Sequence, residues 1–178
     1  EARAQMLLGS AMAAMAFNVA GLGSVHGTGH AISARLNAAH GQTLATMLPH
    51  VMDYNMPERT EKYEEVARLL APEGPASGTA AIDAVLKLRS DIGIDKSIRD
   101  LGGEDDLLPT LVEDAMADLI NVFNPRPVDP EALVYRLTAL CVLRRHAHER
   151  CNWSWRFGAV CKRLTKPCNR RTCAFGGG

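Results

Sequence analysis

Residues 24–42 read SVHGTGHAISARLNAAHGQ. Three histidines, His26, His30 and His40, sit in a Gly- and Ala-rich stretch whose only charged residue is Arg35. His26 and His30 are four apart, so on a helix both rings share one face, about 6 Å apart along the axis. Asn37 marks a break, after which a second helix starting near His40 can fold back toward the first pair. Two imidazoles at that spacing can share a metal, as in other helical His-x-x-x-His sites. The same residues also fit hydrogen-bonded core histidines or a proton relay, and spacing alone leaves these readings open. A zinc-protease helix does not fit, because its glutamate is absent.

The flanks set the fold class. No stretch alternates apolar and polar residues in the β-branched and aromatic types that strands favour, and aromatics make up only 5% of the chain. Helix signals dominate instead. Ala4 to Val19 or beyond is rich in Ala and Met. Ser24 to Leu36 forms a second helix, and His40 to Leu48 a third, with a break at Pro49. Pro57 starts an amphipathic helix that places Tyr63, Val66, Ala67, Leu69 and Leu70 on its apolar side. Thr79 caps a helix that stops at Gly93. A later helix aligns Leu108, Leu111, Val112, Ala115, Leu119 and Ile120. Asp129 and Pro130 open the last one. The expectation is an all-α helical bundle of about seven helices.

Composition divides the chain near Leu140. Residues 141–178 hold nine Lys or Arg and one acid, a net of +8, with all five cysteines and both tryptophans. Residues 1–140 hold eleven bases and nineteen acids, a net of −8. The expected organisation is therefore a helical domain over 1–140 and a basic, Cys-rich, poorly ordered tail over 141–178. The tail has no Cys-x-x-Cys pair, so it reads poorly as a zinc module. Its Trp153, Trp155 and Phe157 among arginines fit binding to nucleic acid or an acidic partner, the alternative function for the chain. The abrupt change also fits an out-of-frame reading of the gene's end after VYRLTAL.

Ala4 to Ala34 carries no acid, Lys or Arg and has the length of a membrane span. Arg3 followed by MLLGSAMAAMAF also has the outline of a signal peptide. Ala and Gly gain little in lipid, however, and Asn18, His26 and His30 lie inside the stretch. The expectation is a first helix buried on all sides in a cytoplasmic protein, with no membrane role.

The run AMAFNVAGLGSVHGTGHAISARLNAAHGQTLATMLPHVMDYN resembles the C-terminal helical domain of the iron-containing (group III) alcohol dehydrogenases, which share the dehydroquinate synthase-like fold. That family's pattern is a ligand His, another His four residues on, and a second ligand His followed by Gly fourteen after the first. His26, His30 and His40–Gly41 match it, and LPHVM and NPRPV add to the likeness over roughly residues 5–140. The resemblance implies His26 and His40 as metal ligands for Fe2+ or Zn2+ and His30 as the catalytic proton-relay residue. It implies Phe17 as lining the cofactor or substrate pocket. His50 reads as structural. Ala31 departs from the Pro that many members carry.

The resemblance further implies a metal-dependent enzyme that moves a hydride between a small alcohol or aldehyde and NAD or NADP, with the metal as Lewis acid. The family's other two ligands, an Asp and a His, and its nucleotide-binding domain would precede Glu1. The chain is then expected to be part of an enzyme, inactive alone and a homo-oligomer when complete.

Overall fold

In the computed structural model, residues 1–133 are described; the basic tail and the expectations attached to it lie outside the described residues. Among the described residues there are helices and turns but no strand. The helices are α1 (Ala2–Ala20), α2 (Ser24–Leu36), α3 (His40–Asn55), α4 (Thr60–Leu70), α5 (Gly78–Asp91) and α6 (Leu108–Ala117). Short 3-10 turns cover Met56–Glu58, Arg99–Leu101, Asp105–Leu107 and Leu119–Phe123.

The end of α2 follows the sequence reading. Asn37 takes the left-handed conformation, with φ 48°, which Asn tolerates better than most residues. Residues 37–39 then return the chain, and α3 begins at His40 and packs along α2. Several differences stand against the expectations. Pro49 does not break α3, which runs through it to Asn55. The lost N–H bond to Ala45 costs stability, but Pro49 is buried, so packing holds the helix together. Ser77, not Thr79, caps α5 and accepts the Ala80 N–H at 3.2 Å. The apolar face expected over 108–120 also ends early. Asp118 is extended, α6 stops before it, and Leu119 points out, 87% exposed. On α4, Leu69 and Leu70 are likewise exposed, and Ala67 is the buried contact.

Two apolar clusters form the core. Ile32 of α2, Met47 of α3, Ile98, and Leu111, Val112 and Ala115 of α6 make the first. Met52 of α3 with Ala67, Ala81 and Val85 of α4 and α5 makes the second. Helix α3 thus contributes to both. The side-chain amides of Asn55 and Asn124 pair face to face, at 2.7 and 3.0 Å, and Asn124 Oδ1 also accepts the Ser24 N–H. Arg126 lies over the Tyr54 ring, 4.3 Å from its centroid, and donates to the Tyr54 carbonyl. The 124–127 loop is thereby pinned to the end of α3 and the start of α2.

Helix α1 departs most from expectation. It holds no buried residue, and Met6, Leu7, Met12 and Met15 are more than half exposed. Such an apolar helix is expected to be covered; nothing among the described residues does so. No single helix there is long and apolar enough to cross a membrane, and α1 with α2 meets that test only as a pair bent by 109°.

The turn at 119–123 packs on α2 at one tight point. A Cβ at Gly27 would lie 2.5 Å from Asn121 Oδ1. Asn121 Nδ2 is itself engaged by the Ala115 and Asp118 carbonyls. Gly27→Ala must therefore displace that amide, and about 1–3 kcal/mol of stability is expected to be lost. Gly41→Ala, with nothing within 4 Å, should be neutral or gain up to about 1 kcal/mol. Urea unfolding midpoints of the two variants check the contrast. Leu111, fully buried, should cost about 2–5 kcal/mol on replacement by Ala in the same assay.

Candidate functional site

The three histidines come together. The ring centroids of His26 and His30 are 5.7 Å apart, and His40 lies 5.5 Å from each. Helical spacing on α2 supplies the first two, and the return through Asn37 supplies the third. The placement of His40 is fixed from below by Thr43. The Thr43 hydroxyl is fully buried, 2.8 Å from the His40 carbonyl and 3.2 Å from that of Gly29, and it pairs with Ser33 at 2.9 Å. One hydroxyl proton is thus shared between the first turn of α3 and the middle of α2. Phe17 reaches the same place from α1, its ring centroid 6.2 Å from that of His26. His50 stays out of these ring contacts; it is half-buried and lines a small cavity with Ser24, Met47 and Tyr54.

The rings differ in surroundings. His26 is half-buried, and its Nδ1 is a buried nitrogen with no hydrogen-bond partner among the described residues. Burial, and then the neighbouring His40 and His30, hold its imidazole below the ordinary histidine value, while Asp118 pulls the other way. The neutral ring is thereby favoured, the form that binds metal ions. His30 and His40 are exposed.

A residue the sequence does not single out completes the group. Asp118 Oδ2 lies 2.8 Å from His30 Nδ1. Its other oxygen, Oδ1, accepts the Ile120 N–H at 2.9 Å, a short side-chain turn typical of Asp. That N–H holds the carboxyl below its ordinary value, burial opposes this, and His30 adds to the lowering. The local signal was an Asp followed by Asn three residues on, but the apolar pattern of 108–120 runs straight through it. An open groove of about 500 Å³ lies beside the pair, lined by His30, Ala31, Ala34, Arg35, Asp114 and Asp118. Arg35 is held there by Asp114 through two hydrogen bonds.

The donor chemistry suits a divalent ion of the iron or zinc type, since imidazole nitrogen is a common ligand for both. The orphaned His26 nitrogen points the same way. The number of ligands is short. Among the described residues, no group of three His, Cys, Asp or Glu side chains could hold an ion by itself.

Comparison with known proteins supplies the context. The family model described as "Fe-containing alcohol dehydrogenase family, C-terminal" matches residues 1–140. Lactaldehyde reductase of Escherichia coli (strain K12) is 38% identical over 139 residues, which are 75% of this chain and 36% of that protein. The 1,3-propanediol dehydrogenase of Citrobacter freundii is 36% identical over 131 residues, 71% of this chain and 34% of that protein. In structure, the alcohol dehydrogenase from Oenococcus oeni matches with a TM-score of 0.66 and 32% identity, over 72% of this chain and 35% of that one. The chain thus spans about a third of the length of the relatives it matches. With a helical fold shared across these structures and a family match over most of its length, the chain belongs to the iron-containing alcohol dehydrogenase family, in the part that forms its C-terminal domain.

Proposed function

We propose that this chain is the metal-carrying helical part of an enzyme that moves a hydride between a small alcohol or aldehyde and a nicotinamide cofactor, NAD or NADP. The observation that carries the reading is the mutual approach of His26, His30 and His40, from two different helices, to 5.5–5.7 Å between ring centroids. The names of the relatives, a lactaldehyde reductase and a 1,3-propanediol dehydrogenase, support short, oxygenated substrates.

In this reading His26 and His40 hold the ion, and further ligands and the nicotinamide-binding domain come from elsewhere in a longer polypeptide, residues 1–140 being the helical metal unit. Bound there, an iron(II) or zinc ion supplies Lewis acidity at the substrate oxygen. His26 contributes a ring already biased to the neutral form by burial. His30, exposed beside the groove, accepts the hydroxyl proton on oxidation and returns it on reduction. Phe17, 42% exposed, offers an apolar face next to His26 against which a flat ring can rest and from which water is displaced. Arg35 is committed to Asp114, so its charge does not stand alone in the groove.

Two imidazoles are fewer than the three protein ligands of a usual catalytic zinc site. The chain alone is therefore expected to bind Zn2+ or, without oxygen, Fe2+ only weakly, and to show no turnover of alcohol with NAD or NADP. Calorimetric titration should show His26→Ala and His40→Ala each weakening binding at least about tenfold, and His50→Ala leaving it unchanged. Equal affinity in wild type and both ligand variants overturns the assignment, as does nicotinamide turnover by the isolated chain for the division of labour.

A further inference from the structure

We propose that Asp118 is a positioning residue that fixes which nitrogen of His30 carries the proton. The inference rests on the reading of His30 as the proton-relay group. An ionised carboxylate can only accept hydrogen bonds. With Asp118 Oδ2 2.8 Å from Nδ1, the hydrogen lies on Nδ1, and Nε2 is left with its lone pair. A neutral imidazole held in that state has one nitrogen ready to take a proton, as a general base needs. The opposite tautomer would present an N–H where a lone pair is required.

The carboxylate is well placed to impose this. Its second oxygen is tied to the Ile120 N–H, so the group cannot swing freely about its side-chain bonds. The backbone that carries it is fixed in turn. Asn121 donates to the Ala115 carbonyl at 2.6 Å and to that of Asp118 at 3.1 Å, closing the corner between α6 and the 119–123 turn. That corner sits on α2 where Gly27 removes a side chain, one turn before His30. Arg35, the basic residue lining the same groove, is bound by both oxygens of Asp114 and so does not compete for Asp118. Asp118 and His30 remain 24% and 44% exposed, so the pair stays open to a reactant in the groove.

The test reads the tautomer directly and needs neither metal nor turnover. Long-range proton–nitrogen correlation spectra of the full chain, labelled with 15N at histidine, are recorded at about pH 8, above the ordinary imidazole range. Wild-type His30 is expected to carry its hydrogen on Nδ1. Asp118→Asn keeps an oxygen for the Ile120 N–H but can turn its NH2 toward the ring, and the hydrogen is expected to move to Nε2. Backbone amide shifts away from residues 115–123 and 26–34 should stay in place. Nε2–H in the wild type overturns the proposal whatever the variant does, including a variant that fails to fold. An unchanged Nδ1–H in a folded Asp118→Asn overturns it too, since the orientation would then come from elsewhere. Neither result touches the metal titration, so the two readings fail separately.

Discussion

The paired amides of Asn55 and Asn124 hold the structure to one arrangement. Each side chain donates to and accepts from the other, which satisfies a donor and an acceptor on both. Asn124 Oδ1 takes a second donor, the Ser24 N–H, one of the orphan N–H groups at the start of α2. Asn124 Nδ2 also reaches the Arg126 carbonyl. The end of α3, the start of α2 and the loop after the 119–123 turn are thus joined at a single polar point. Replacing Asn55 would remove two of the four hydrogen bonds that Asn124 makes, and replacing Asn124 would remove all four at once, in a partly buried place where lost bonds are costly. The histidines depend on this. His26 stands on the first turn of α2, and its position is set where that helix is anchored.

From this anchor the site is built by two close approaches on opposite sides of α2. On one side α3 returns through Asn37 and is locked by the shared proton of Thr43. On the other the Asn121 corner sits over Gly27. The first brings His40 to the pair on α2, and the second brings Asp118 to His30. Helix α6 adds the apolar side, with Leu111 and Ala115 packed against Ile32 and Met47. A rigid apolar layer under a cluster of half-exposed imidazoles keeps their relative geometry while leaving them open to a ligand.

Local chemistry made part of this legible. The α2 boundaries, Ser24 and Leu36, follow from the glycines before it and Asn37 after it. Asp129 caps the last described turn as its residue type requires, accepting the Ala132 N–H at 2.7 Å. The meeting of three histidines follows from a four-residue spacing plus one break. What was illegible depended on packing and on partners far along the chain. The apolar content of α1 says that the helix wants cover, but not that the described residues provide none. Pro49 obeys a local rule that buried packing overrides. Asp118 looks like one more polar residue on an amphipathic face, because helical periodicity continues past it, and only the extended backbone there turns its carboxylate to a histidine 88 positions earlier.

The division has a physical cause. Ligand-type residues can be recognised locally, since a metal or a helix face demands residue types at fixed spacing. Orientation of a ring cannot, because a single hydrogen bond to the far nitrogen decides it, and that partner is free to come from any element that packs nearby. Here it comes from the corner between α6 and the 119–123 turn, and the same corner supplies Asn124, three residues after Asn121, to the anchor of α2. One short segment, 118–124, therefore sets both where the histidine helix begins and how its second histidine is turned. A change that loosens this segment would shift position and orientation together, so substitutions here should be judged by the state of the His30 ring as well as by stability.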